Sequence, residues 1–252
     1  MELVGSDSRT YSVDYDWLKL PDGWEAPMAA VTVDSKDRVY GFNRGENGVI
    51  IFDTDGNYLK HWEGVDFIFP HAIYADHEDY IWIVDRDAGQ VLKYTTEGKQ
   101  KLAIGRRGYR SNTGADNSVF SSDGYKDVVR GGEPFNLPAG VAVAPSGDVF
   151  VADGYANCRV HRFDADGNHI TSWGQPGSGE GEFLLPHGVT IDSNGSVLVS
   201  DRENNRIQEF DQEGQFLSEW ATGLIGPALV WQDIEGVGFV PEHNGGNFSV
   251  PT

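Results

Sequence analysis

Short apolar runs recur along the whole chain, and none keeps a helical period over the three turns that an amphipathic helix would need. Val149-Phe150-Val151 and Val197-Leu198-Val199 are continuous enough for strands buried on both faces. Arg206-Ile207-Gln208-Glu209-Phe210 alternates as a strand with one wet face does. Polar turns separate these runs. Asp55-Gly56 and Asp166-Gly167 are pairs that a tight hairpin prefers, and Glu213-Gly214 takes the same place further on.

The runs align on one template. Five stretches carry it: Ala30–Asp34 to Arg44, Ile73–Asp76 to Arg86, Val141–Ala144 to Gly154, Val189–Asp192 to Arg202, and Val230–Asp233 to His243. The residue closing the first strand (Asp34, Asp76, Ala144, Asp192, Asp233) keeps a constant distance from the last residue named. A proline opens each unit, and a fourth strand ends on Trp62, Trp173 or Trp220. Four antiparallel strands in roughly 40 residues predict an all-β propeller. One domain, 1–252, holds five visible blades, the fifth ending after a third strand at Asn247–Val250. Two closures stay open: Tyr11–Trp17 alternates and would serve as the missing outer strand, or the parent fold has six blades and one is absent here. Between the second and third blades lies an insertion, 106–135, rich in Gly, Ser, Asn and Asp. A loop of that length is usually functional or unstructured.

Composition narrows the function. Gly at 32 residues and aromatics at 12% suit many tight turns around apolar sheets. A formal net charge of −20 sets aside nucleic acid and anionic membrane as partners. The single cysteine, Cys158, excludes an intramolecular disulfide and reads as a small buried residue. No run approaches the ~18 apolar residues of a membrane span. Met1 to Tyr15 lacks the apolar core and basic flank of a signal peptide, so a cytoplasmic protein is expected unless a leader was removed.

In a propeller the first strand of each blade lines the central channel, and the residue after the opening proline faces it. That ring is Met28 (or Ala29), His71, Ala139, His187 and Ala228, with histidine on alternate units. Alternate blades of a six-bladed ring lie ~120° apart, so a third histidine on a sixth blade would complete a site suited to catalytic zinc. A second ring follows the second strand: Arg44, Arg86, Tyr155 (one place beyond Gly154), Arg202 and His243. Converging arginines suit a carboxylate, which they clamp in bidentate fashion, and a tyrosine among them is a candidate base. Arg86 reads as structural, and His61, His161 and His169, in outer strands, read as surface residues.

At these residues the chain resembles a known family. Phe-Pro-His-Ala-Ile at 69–73, Ala-Asp-Gly-Tyr-Ala-Asn-Cys-Arg-Val at 152–160, Leu-Pro-His-Gly-Val at 185–189 and Ser-Asp-Arg-Glu-Asn-Asn-Arg-Ile-Gln at 200–208 are similar to the NHL-repeat propeller of peptidyl-α-hydroxyglycine α-amidating lyases. The likeness runs over roughly 28–220 and includes Arg44 in Phe-Asn-Arg-Gly. It implies a six-bladed NHL propeller that cleaves an α-hydroxyglycine to glyoxylate and an amide. It further implies that His71 and His187 ligate zinc, Tyr155 accepts the proton, and Arg44 and Arg202 hold the carboxylate and support the tyrosinate. The family's structural calcium has no evident place here, and its third histidine has no counterpart. With no secretory mark, a small carboxylate-bearing α-hydroxy-amide is a better substrate than a peptide. Two other functions compete: a non-catalytic NHL propeller presenting a face to a protein partner, and a metal-dependent lactonase. The lactonase is disfavoured, because those sites are built of Glu, Asn and Asp rather than histidine.

Overall fold

The computed structural model describes residues 3–6, 9–118, 122–233 and 237–243. Among them are four four-stranded antiparallel sheets, each a simple meander from the inner to the outer strand. The first blade runs Met28–Val33, Val39–Asn43, Val49–Phe52 and Tyr58–His61. The second runs Pro70–Ala75, Ile81–Asp85, Gln90–Tyr94 and Gln100–Ile104. The third is Pro138–Val143, Val149–Asp153, Arg159–Phe163 and His169–Trp173, and the fourth is Pro186–Ile191, Val197–Asp201, Arg206–Phe210 and Phe216–Trp220. A fifth unit contributes a short pair, Trp231–Gln232 with Gly238–Phe239, and a bridge from Pro227 to Glu242. The strand expected at Asn247–Val250 lies outside the described residues.

The second strand of each complete blade is the most buried. Val149, Phe150 and Val151 are fully buried, as are Ile81 and Ile83 in the second blade. Both faces of such a strand meet a neighbouring sheet, which is why its sequence reads as a continuous apolar run rather than an alternation. Each blade-to-blade seam is its own apolar cluster. Tyr40, Phe42 and Ile51 meet Ile81 and Ile83 at one seam, and Phe150 and Val160 meet Val197 and Phe210 at another.

Aspartates hold both ends of the blades, as acceptors for backbone N–H groups that would otherwise be left without partners. At one end Asp76 accepts from Glu78 and Tyr80 N–H at 3.0 and 2.9 Å and from the Trp82 indole at 2.8 Å. At the other, Asp85 accepts from Ile68 and Phe69 N–H, both at 2.8 Å, and Asp201 from Leu184 and Leu185 at 3.0 and 3.1 Å. This second set ties the end of the second strand to the segment that opens the blade.

Within the N-terminal segment expected to close the ring, Arg9–Ser12 is extended and pairs with Leu3–Ser6 among the described residues. Its pairing with the third strand expected of the fifth unit falls outside the described residues. The two ends of the chain do meet: the Tyr11 and Phe239 rings lie 6.0 Å apart, edge to face. Trp17 covers Gly56 and donates to the Thr54 carbonyl at 3.2 Å. Trp62, at the end of the first blade, does the same to Gly98 and Thr96 of the second, at 3.3 Å.

Candidate active site

A one-residue register shift places the inner ring. Pro70 pairs with Asp85 and Ala72 with Val84, leaving His71 bulged between them. His187 and Ala139 sit in the same bulge in their blades. In the first blade Met28 pairs with Asn43 and Ala30 with Phe42, so Ala29, and not Met28, holds that position. Bulges re-aim side chains in this way at barrel and propeller rims.

Each histidine is fixed by the next blade. His71 Nδ1 lies 2.7 Å from the Ala139 carbonyl, and His187 Nδ1 lies 2.8 Å from the Ala228 carbonyl. A carbonyl only accepts, so both Nδ1 atoms carry the proton and both Nε2 atoms present lone pairs. Those lone pairs converge on the Tyr155 hydroxyl, at 3.1 Å from His71 and 3.1 Å from His187. Burial holds His71 well below the ordinary imidazole range, with the His187 ring and the Arg86 and Arg44 guanidiniums adding to it. Burial, then Arg202, brings His187 down to about 4. Both rings are therefore neutral near pH 7.

The phenol has one proton for two imidazole acceptors, while Arg202 Nη1 donates to the same oxygen at 3.2 Å. Among the described residues, one Nε2 lone pair thus lacks a donor. A cation held between the rings would satisfy it, and neutral imidazole nitrogens are what zinc takes. Among the described residues no group of three or more His, Cys, Asp or Glu side chains is gathered for a metal, so His71 and His187 would need other ligands beside them.

The outer ring forms as a unit. The N–H groups of Arg44, Arg86, Tyr155, Arg202 and His243 each donate to the carbonyl two residues before the inner-ring position of their own blade, at 2.8–3.3 Å. Tyr155 joins one residue late because Gly154 is pressed against Pro186, whose carbonyl oxygen would lie 2.2 Å from any Cβ there. All five side chains line one cavity of about 570 Å³. Aromatic rings and guanidiniums alternate around it. Phe69 lies between Arg44 (4.5 Å) and Arg86 (3.9 Å), and Tyr155 between Arg86 (4.9 Å) and Arg202 (5.4 Å).

Charge is nearly balanced in this stack. Arg86 Nε pairs with Asp87 at 2.7 Å and Arg202 Nε with Glu203 at 2.9 Å. Arg44 Nε meets only the Pro70 carbonyl, at 3.1 Å, and no carboxylate partner is found for it among the described residues. Three guanidiniums against these two carboxylates leave one positive charge at Arg44, which is exposed at the cavity, and a guanidinium of this kind suits a single anionic group.

Sequence reasoning placed His71, His187, Tyr155, Arg202 and Arg44, and the fold brings them together. It missed Phe69, Glu203 and Tyr125, which also line the cavity, and it gave Arg86 only a scaffolding part. Phe69 was findable, since it immediately precedes the Pro-His pair. His161 is corrected too: it is fully buried, with Nε2 3.3 Å from Asp153 and Nδ1 2.7 Å from Ser172 Oγ.

The NHL-repeat family model matches residues 135–163 and 183–210, the heart of the third and fourth blades. This is an NHL-repeat protein. Human NHL repeat-containing protein 3 is 32% identical, over 83% of this chain and 59% of its own length. Peptidyl-alpha-hydroxyglycine alpha-amidating lyase 1 of Drosophila melanogaster is 33% identical, over 79% of this chain and 36% of its own length. The NHL-repeat chain thus spans less than two thirds of either relative. A catalytically inactive variant of virginiamycin B lyase from Staphylococcus aureus, solved with quinupristin, superposes with a TM-score of 0.62 at 16% identity, over 88% of this chain and 65% of that one. That likeness supports the propeller fold.

Proposed function

We propose that this NHL-repeat protein is a metal-dependent carbon–nitrogen lyase that cleaves a small carboxylate-bearing α-hydroxy-amide to glyoxylate and an amide. The observation that carries the reading is the meeting of two imidazole lone pairs and an Arg202 N–H at the Tyr155 oxygen. Similarity to a lyase of that name adds support.

His71 and His187 would hold a zinc ion, which when bound supplies a Lewis acid beside the hydroxyl of the substrate. Arg44, with Arg202, takes the carboxylate and so orients the hydroxyl-bearing carbon toward Tyr155. In its phenolate form, its own proton lost to solvent and the charge on oxygen held by the Arg202 N–H, Tyr155 accepts the hydroxyl proton. As the O–H pair becomes the new C=O bond, the C–N bond breaks and its electrons pass to nitrogen. That nitrogen regains a proton to leave as the neutral amide. Atoms balance without water or a redox partner.

The test is glyoxylate release from N-benzoyl-α-hydroxyglycine by purified protein, before and after a chelator. Release that stops on chelation and returns with zinc is expected. No release from metal-replete protein contradicts the reading and favours a propeller that only presents a binding face.

A further inference from the structure

The insertion 106–135 is bonded into the third blade rather than draped over it. Thr113 Oγ1 donates to the Ala156 carbonyl at 2.7 Å, Gly132 N–H to Asn157 at 3.0 Å, and Asn136 Nδ2 to Ser111 O at 3.0 Å. A helical turn in it, Gly124–Asp127, presses on the site itself, where a Cβ on Gly124 would lie 2.9 Å from the Tyr155 carbonyl oxygen. Tyr125 follows, buried among Leu137, Ala139, Tyr155 and Leu185 and lining the cavity.

From Tyr125 an unbroken chain of hydrogen bonds leads to the reacting oxygen. Its hydroxyl donates to Glu203 Oε2 at 3.2 Å. Glu203 Oε1 accepts from Arg202 Nε at 2.9 Å, and Arg202 Nη1 donates to Tyr155 at 3.2 Å. We infer that Tyr125 is a positioning residue, which fixes Glu203 so that Glu203 aims the Arg202 guanidinium at Tyr155, and that the insertion is thereby a working wall of the site. The inference rests on the proposed role of Arg202 and Tyr155. Physically it follows from geometry. Glu203 is partly exposed, and a carboxylate held by one arginine alone rotates freely between solvent and partner. A second, buried donor on its other oxygen removes that freedom. Burial, aided by the Glu203 charge, also pushes the Tyr125 phenol above its ordinary value, which keeps it a donor.

Two readouts on the full chain test this. With N-benzoyl-α-hydroxyglycine, Tyr125→Phe is expected to lower kcat about fivefold with a smaller change in KM. Combined with Glu203→Gln it should lower kcat no further than Glu203→Gln alone, the signature of residues acting in series. The second readout needs no turnover: the Arg202 Nε–H signal in ¹⁵N NMR, assigned with Arg202→Lys, should exchange with water at least about fivefold faster in Tyr125→Phe. Asp127→Asn, exposed on the same turn and outside the chain of bonds, should leave both unchanged. Multiplying effects, or unchanged Nε–H exchange, overturn the inference. Faster exchange in a protein that releases no glyoxylate would uphold the positioning role and count against the lyase reading alone.

Discussion

Two pairs of histidines occupy this propeller, and their hydrogen bonds differ in one respect. In the third blade His169 Nε2 and His161 Nδ1 each lie 2.7 Å from Ser172 Oγ, and His161 Nε2 lies 3.3 Å from Asp153. A consistent proton order exists there: His169 donates to Ser172, Ser172 to His161, and His161 to Asp153. Every buried polar atom in that chain has a partner of the right kind. In the channel, both Nδ1 protons point at carbonyls and both Nε2 lone pairs point at one phenol. One acceptor there is left without a donor. Among the described residues the outer pair is fully satisfied within its blade, while the inner pair keeps one lone pair that a bound cation would satisfy. Residue type alone could not have separated them.

The strongest way to break that distinction is at the channel. His187→Ala should cost about 10³-fold in glyoxylate release, the worth of a Lewis acid at several kcal/mol, with little change in thermal midpoint. Tyr155→Phe should cost ~10²-fold or more in kcat through lost proton transfer while protein-bound metal is retained, read by steady-state kinetics and metal analysis side by side. His161→Ala should do the reverse. It should lower unfolding free energy by about 3 kcal/mol, through a cavity and the lost partners of Asp153 and Ser172, and leave metal content alone; denaturant melts decide it. The smallest effect concerns Cys158, buried and with its thiol pushed up to about 12 by that burial. It should stay unmodified by thiol reagents in the native protein and react only on unfolding.

Much of this was legible in the chain because a repeat is written several times over. Strand order, the opening prolines, the aspartates at the blade ends and the two rings all follow from aligning units, and Ala29 against Met28 needed only the register to decide it. What a repeat cannot show is whatever breaks it. Tyr125 comes from an insertion with no counterpart in the other blades, so nothing in its sequence marks it as the partner of Glu203. His161 occupies a strand position that is Gln208 in the next blade, and its burial comes from Phe135 of the insertion packing on its ring at 5.4 Å. Of the N-terminal segment Tyr11–Trp17, Tyr11 and Ser12 are extended, and the partner found for Arg9–Ser12 among the described residues is Leu3–Ser6, which is nearer in sequence than any strand of the fifth unit. Nearby partners cost less chain entropy to bring together.

On the proposed reading, the difference between the two histidine pairs is zinc held by His71 and His187. Elemental analysis after exhaustive dialysis, on wild type, His71→Ala/His187→Ala and His161→Ala, should give zinc bound to the wild type and to His161→Ala and none to the double channel variant. Zinc absent from all three, or kept by the double variant, would contradict a channel built to hold it.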